Sequence, residues 1–299
     1  MLSPRRPGLS LGDRIKASQN VTYAGTQASG ERCVVRATAG DTAVNLPRIQ
    51  AEVAFLAAMV EAGVQACGPV GDGVAVSDAG AVVVVTRWAA GEAVDYMAFE
   101  WAKSEDFVRA TARWFASLHR ASRAWTTANP DKLAALQTWD SLHDGIIAGA
   151  ASERLVAVAT DPAHCGAIHG DVNPSNFFVV RGDGLALDVF DWDQAQRGWY
   201  LYDLSQFVWG VSLVAKAGVP VAGTPVDGVD VDKATAWLCD EYSTAMGTPV
   251  DKDLFADAVA LRRQLYERFC RRAKAEGDMP PDMAPFMDWI VACFDDGTL

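Results

Sequence analysis

Through the first ninety residues, apolar and polar positions follow strand spacing around one helix; beyond them helical spacing takes over. Glu31–Thr38 (ERCVVRAT) sets β-branched residues between polar ends, as a short strand does. Arg48–Ala62 carries apolar residues at Ile49, Val53, Leu56, Ala57 and Val60, a helical spacing that Gly63 closes as a C-cap. Gly73–Ser77 and Ala81–Trp88 predict two further strands, and the second is apolar at almost every position, as interior strands are. Ala89–Glu92 (AAGE) breaks the pattern and suggests a lobe boundary, dividing residues 1–90 from 91–299.

Past that break, Lys103–Arg123 holds Phe107, Ala110, Trp114, Phe115 and Leu118 along one helical stripe. Leu133–Ala150 and Ser152–Thr160 are weaker helix patterns, and Ala167–Asp193 switches to short strands and turns. Helical spacing returns at Leu201–Val214, Val231–Met246 and Lys252–Lys274, with a last helix from about Pro285 to Phe294. Trp101, Trp114, Trp209 and Trp237 fall at helix positions where core packing is the default.

Composition narrows the function classes. Half of the 299 residues are hydrophobic and 21% are charged, which excludes a disordered chain. The net charge of −12 repels phosphate backbones and makes nucleic acid a poor partner. The longest apolar run, Ala79–Val85 with Gly80 inside it, falls far short of the about 20 residues a membrane span needs. No apolar segment follows the basic amino terminus, so a secretory signal is not expected. Six scattered cysteines without a C-x-x-C pair read as reduced thiols and point to the cytoplasm. The acid-rich C-terminal half reads first as scattered surface carboxylates, and second as the lining of a pocket for a cationic substrate. Thr224–Asp232 looks like an exposed acidic loop, without the Gly and Glu spacing of a calcium loop.

The chain has no G-x-x-x-x-G-K-[ST], no G-x-G-x-x-G between strand and helix, and no G-x-S-x-G elbow. It does contain Ile168–Phe178 (IHGDVNPSNFF) followed by Ala186–Ala195 (ALDVFDWDQA). An Asp and an Asn five residues apart, then an Asp leaving a hydrophobic strand, form a phosphoryl-transfer layout. In such a layout the first Asp accepts a hydroxyl proton, while the Asn and second Asp hold Mg²⁺ against nucleotide phosphates.

H-G-D-x-x-x-x-N followed by F-D-W-D resembles the aminoglycoside phosphotransferase and choline kinase-like superfamily, distant relatives of the protein kinases. The resemblance extends over Cys33–Arg36, Glu52, the strand ending near Trp88, Ser117–His119 and Gly198–Leu204. It implies an α+β, two-lobed protein-kinase-like fold, with a small sheet-bearing N-lobe and a larger, mainly helical C-lobe. By position it implies Asp171 as catalytic base, with Asn176 and Asp191 as ligands of Mg²⁺. His169 then braces the loop, and Asp193 either supports metal or substrate or bonds the loop. Arg36 stands where many relatives have Lys, and a guanidinium there can pair with Glu52 and fork onto phosphate oxygens. Ser18–Gly30 becomes the phosphate-covering loop, with Ser18 and Asn20 as candidate caps, and the hinge strand brings Thr86 and Trp88 to the adenine. His119 reads as a structural histidine, and Asp203 as a helix N-cap to which the resemblance adds bracing of the catalytic loop.

The expected function is transfer of the γ-phosphoryl group of ATP to a hydroxyl of a small molecule, such as an amino sugar, an amino alcohol or a homoserine-like metabolite. The rivals are a protein Ser/Thr kinase of the stress-response type and a non-catalytic nucleotide-binding protein.

Overall fold

The computed structural model describes residues 8–17, 20–147, 149–218, 226–277 and 284–299, with backbone alone at 144–147. Five strands come first: β1 (Ser10–Ala17), β2 (Val21–Thr26), β3 (Arg32–Thr38), β4 (Pro69–Val76) and β5 (Val82–Arg87). They form one antiparallel sheet in the order β1-β2-β3-β5-β4, with the near-continuous apolar strand β5 in its interior. Helix α1 (Thr42–Glu61) packs against β4 and β5. It starts six residues earlier than its apolar spacing predicts. Asp41 caps it by accepting from the Ala43 N–H, and Pro47 is accommodated inside it. By length and composition α1 could cross a membrane, but Ile49, Val53, Phe55, Leu56 and Met59 are buried in the protein core.

A second correction concerns the phosphate-covering loop. Val21–Thr26 is strand β2, paired with β1 and β3, so the expected Ser18–Gly30 loop is not a continuous loop, and its end is the turn after β2 at Gln27–Glu31. Only one β2 residue, Gly25, is buried, which is why no alternating apolar pattern announces the strand.

After the hinge come β6 (Glu92–Ala93), α2 (Glu100–Lys103) and α3 (Glu105–Ala128), the last capped by Ser104 accepting from Phe107 N. The predicted helix Leu133–Ala150 is instead broken into α4 (Pro130–Ala135), β7 (Gln137–Thr138) and α5 (Trp139–Ile147). The break falls where β7 pairs with β11, and Thr138 and Ser141 hydrogen-bond each other across it. Next are α6 (Glu153–Ala157), β8 (Cys165–Ile168), β9 (Phe177–Arg181), β10 (Leu185–Val189) and β11 (Gln196–Trp199). The remaining helices are α7 (Tyr200–Lys216), α8 (Val231–Met246), α9 (Lys252–Glu276) and α10 (Ala284–Asp295).

One large apolar core joins α1, α3, α5, α7, α8 and α9 to the strands β8–β11, with Trp101, Trp139, Tyr200 and Phe207 fully enclosed. Trp237 lies at its partly buried edge, and Trp209 belongs to a second cluster with α10. The short strands β8, β9 and β10 carry the two functional loops, so the main core fixes their ends. All six cysteines are free thiols. The expected Thr224–Asp232 loop lies partly outside the described residues.

Candidate active site

The loop 169–176 leaves β8 and returns through β9. Asp203, on the first turn of α7, holds its start: Oδ2 accepts from His169 N at 3.0 Å and Oδ1 from Gly170 N at 2.7 Å. Asp203 makes no N-cap bond to its own helix; it is a loop brace. The same Oδ2 lies 3.2 Å from His119 Nε2, and His119 Nδ1 lies 2.8 Å from the Tyr242 hydroxyl. Burial pushes the His119 pKa down, which keeps the imidazole neutral inside this network. His169 uses both ring nitrogens locally, Nε2 toward Phe190 O at 3.2 Å and Nδ1 accepting from Asp171 N at 3.3 Å. Gly170 has φ +85°, and a Cβ there would lie 2.5 Å from Gln196 Nε2 and 2.6 Å from Gln194 O, so glycine alone fits.

Asp171 is thereby presented with a defined set of donors. Asn173 Nδ2 and Gln206 Nε2 donate to its Oδ1 at 3.2 and 3.0 Å, and Asn176 Nδ2 donates to its Oδ2 at 3.0 Å. Burial pushes its carboxyl pKa up, and the nearby Arg262 charge pulls the other way. Arg262 arrives from α9, stacks 4.0 Å from the Tyr202 ring centre and donates to Gly170 O at 2.9 Å. Sequence reading missed Gln206 and Arg262. Both sit on helices whose pattern announces packing, and only the fold carries them to Asp171.

Asp191 follows β10 in the left-handed region, φ 61° and ψ 62°, one of two non-glycine residues with positive φ among those described. Such a conformation costs of order 1–3 kcal/mol and persists where surrounding contacts enforce it. Lys16, from the end of β1, places its ammonium 3.3 Å from Asp191 Oδ2, in the field of Asp193 and Asp171 as well. Lys16 was not anticipated; it lies on a strand with little apolar alternation. Asp193 accepts from Asn20 Nδ2 at 2.8 Å, and Asn20 Oδ1 accepts from Thr38 Oγ1 at 2.7 Å. Burial and the Asp191 charge push the Asp193 carboxyl pKa up, against Arg36, Lys16 and the Asn20 bond.

In the sheet, Arg36 Nη2 donates to Glu52 Oε1 at 2.6 Å, and both side chains are buried. Burial raises the Glu52 carboxyl pKa and the Arg36 charge opposes the rise. Arg36 Nε and Glu52 Oε2 remain without hydrogen-bond partners, an open donor and acceptor beside the acidic centre. Thr86 is a half-buried member of β5, opposite Val34. Trp88 follows that strand with the Arg32 guanidinium 3.6 Å from its ring centre, so one face of the indole is covered. Ser18 lies outside the described residues.

The residues fit a divalent cation. Asn176 commits its Nδ2 to Asp171, which leaves its side-chain carbonyl oxygen uncommitted, and its backbone carbonyl accepts at 2.9 Å from the N–H of Phe190, the residue before Asp191. The Lys16 ammonium against Asp191 shows that the locus favours positive charge. No cluster of three His, Cys, Asp or Glu side chains suited to a metal exists among the described residues. Two protein oxygens completed by phosphate and water suit Mg²⁺ in such a site.

A sequence profile described as the phosphotransferase enzyme family matches residues 14–228, more than half the chain. The chain belongs to that family. No curated protein matches it, whereas many solved structures do. Amicoumacin kinase hAmiN, in complex with AMP-PNP, Ca²⁺ and Ami, is 15% identical with a TM-score of 0.70, covering 99% of this chain and 91% of that one. The GDP and kanamycin complex of APH(2")-IIia is 15% identical with a TM-score of 0.59, covering 100% and 95%. An aminoglycoside phosphotransferase from Alicyclobacillus acidocaldarius is 15% identical with a TM-score of 0.55, covering 94% and 88%. These likenesses establish the two-lobed kinase-like fold, and family membership makes the chain a phosphotransferase with an alcohol group as acceptor.

Proposed function

We propose that this phosphotransferase moves the γ-phosphoryl group of ATP to a hydroxyl of a small molecule of the amino sugar, amino alcohol or homoserine-like kind. In this reading residues 1–90 form the nucleotide-binding lobe and 91–299 the catalytic and acceptor-binding lobe of a cytoplasmic enzyme. The observation that carries it is the convergence of Asp171, Asn176 and Asp191 beneath the buried Arg36–Glu52 pair.

Asp171 accepts the hydroxyl proton as the acceptor oxygen forms its bond to phosphorus, and the bond to the bridging oxygen breaks with its electron pair leaving on ADP. The raised carboxyl pKa makes Asp171 a stronger base than an exposed aspartate, and its three side-chain donors fix its direction. Asn176 and Asp191 would hold Mg²⁺, which when bound neutralises the phosphate oxygens. Arg36 has Nε free to donate to phosphate while Nη2 stays on Glu52, and Lys16 is within reach of the same oxygens. Asn20 covers the phosphates, and Thr86 and Trp88 flank the base. Measuring ADP formation with Mg·ATP, alone and against a panel of hydroxyl compounds, tests the reading. Acceptor-dependent ADP release and a phosphorylated product are expected, and stoichiometric nucleotide binding with no transfer to any acceptor would point to a silent binding protein.

A further inference from the structure

A cavity of about 510 Å³ opens beside Asp193, between the end of β3, the first turns of α1 and the α4–β7–α5 segment. None of its walls comes from β5 or Trp88, so it lies away from the hinge, on the side of Asn20 and Asp193. Its link to the reacting centre is short. Asp193 is two residues beyond Asp191, and Gln194 O packs on Gly170, the neighbour of Asp171. In-line transfer requires the acceptor on the side of the γ-phosphate opposite ADP.

The charge balance of this cavity is informative. Its only charged walls are Arg48 and Asp193, and its other polar walls are mainly the carboxamides of Asn20, Asn45, Gln137 and Gln194. Asp193 already accepts from Asn20 and lies in the fields of Arg36 and Lys16. Arg48 forms no hydrogen bond or ion pair with any described residue. Glu52, which feels its charge, is already paired with Arg36 at 2.6 Å. A polyamine-like acceptor would therefore meet on these walls one carboxylate, already engaged by Asn20, and the unpaired Arg48, which repels each further ammonium. A carboxylate, in contrast, matches the guanidinium fork of Arg48, while hydroxyl groups match the carboxamides.

We propose, on the basis of the phosphotransferase reading above, that this cavity receives the acceptor and selects a small hydroxyl-bearing carboxylate through Arg48, rather than a polycation. Of the three acceptor kinds, this favours the homoserine-like one.

The test uses the full chain with Mg·ATP and acceptors matched except for charge: homoserine and 4-hydroxybutyrate, their carboxamides, and kanamycin as polycation. The acids should exceed their amides by roughly tenfold or more in kcat/KM, the scale of a charge-assisted hydrogen bond. Arg48→Gln should raise KM for the acids by a similar factor and erase the preference, while calorimetric affinity for Mg·ATP stays within about twofold, since an Arg48 outside the nucleotide site loses no phosphate contact. Calorimetry of the acids on Mg·ADP-loaded protein gives a second readout that needs no turnover. Preference for amides or kanamycin, an unchanged acid KM in Arg48→Gln, or no binding of either acid would overturn the inference and leave the kinase reading intact. Absence of any Mg·ATP binding would instead overturn the kinase reading, and the inference with it.

Discussion

Asp171 and Arg36 show how single side chains acquire roles from their surroundings. In the proposed mechanism, replacing Asp171 by Ala removes the proton acceptor and leaves Asn176, Asp191 and Arg36 in place. Phosphoryl transfer should fall by about 10²–10⁴-fold, the usual contribution of a positioned base, with ATP affinity nearly retained. Equal turnover in the variant would remove Asp171 from the mechanism. For Arg36, the buried bond to Glu52 sets the expectation. Lysine keeps the charge without the fork, whereas alanine leaves Glu52 buried and unpaired, which in the proposed mechanism adds repulsion toward the phosphates. The order in kcat/KM for ATP should be Arg, then Lys, then Ala. A fully active Arg36→Ala would place this residue outside the nucleotide cleft. At this scale the order of Asp171, Asn176 and Asp191 was readable, because they lie on one loop and at the end of the next hairpin, whereas Arg36 on β3 came only from the resemblance. Gln206, Arg262 and Lys16 were not, because each reaches the centre from an element distant in sequence.

Helix α5 carries a titration that belongs to the element rather than to catalysis. His143 sits against Trp139 with ring centres 5.1 Å apart, and its Nε2 has no partner. Burial, and then the Arg262 charge, push its pKa down to about 4. The unfolded chain restores an ordinary imidazole near 6.5, so between these values the unfolded state binds more protons. Stability is therefore complete above about pH 6.5 and falls as the pH drops toward about 4, with His119 adding to the same trend. With partial exposure discounted, His143 accounts for about 2 kcal/mol of that loss. Thermal melts from pH 7 to pH 4.5 should show a shallower decline in His143→Gln than in the parent. Parallel curves would show that the imidazole titrates normally in the fold. Helix α5 itself was half legible. Its apolar spacing was readable, but the break before it comes from the pairing of β7 with β11, a contact across some sixty residues.

Across the molecule, the two lobes are tied at the hinge by Asp188, a fully buried residue of β10. Its carboxylate accepts from Arg87 Nη2 at 2.5 Å, Arg87 Nη1 at 2.6 Å and Ala90 N at 2.6 Å. Gly91, next in the chain, has φ +86°, and a Cβ there would lie 2.2 Å from Val179 O, so the hinge passes against β9 too closely for any side chain. Asp188→Asn loses the charge that Arg87 and Ala90 address. Because Arg87 is partly exposed, the cost should be about 2–3 kcal/mol, below the range for a fully buried pair. Chemical denaturation should register that loss, accompanied by a weaker ATP affinity as the lobes move apart. Unchanged denaturation midpoints would mean that the hinge is held by packing alone.

The sequence by itself determined the strand-rich lobe, the helical lobe and the order of the acidic motif, since local periodicity and short loops are written in neighbouring residues. Tertiary structure alone decided that β2 is a strand, that Asp203 does not cap its own helix, and that Arg48, on a cavity wall with Asp193, pairs with no described residue. Each depends on which distant groups share one buried space, where the low dielectric makes pairing or its absence count, and no spacing along the chain encodes that.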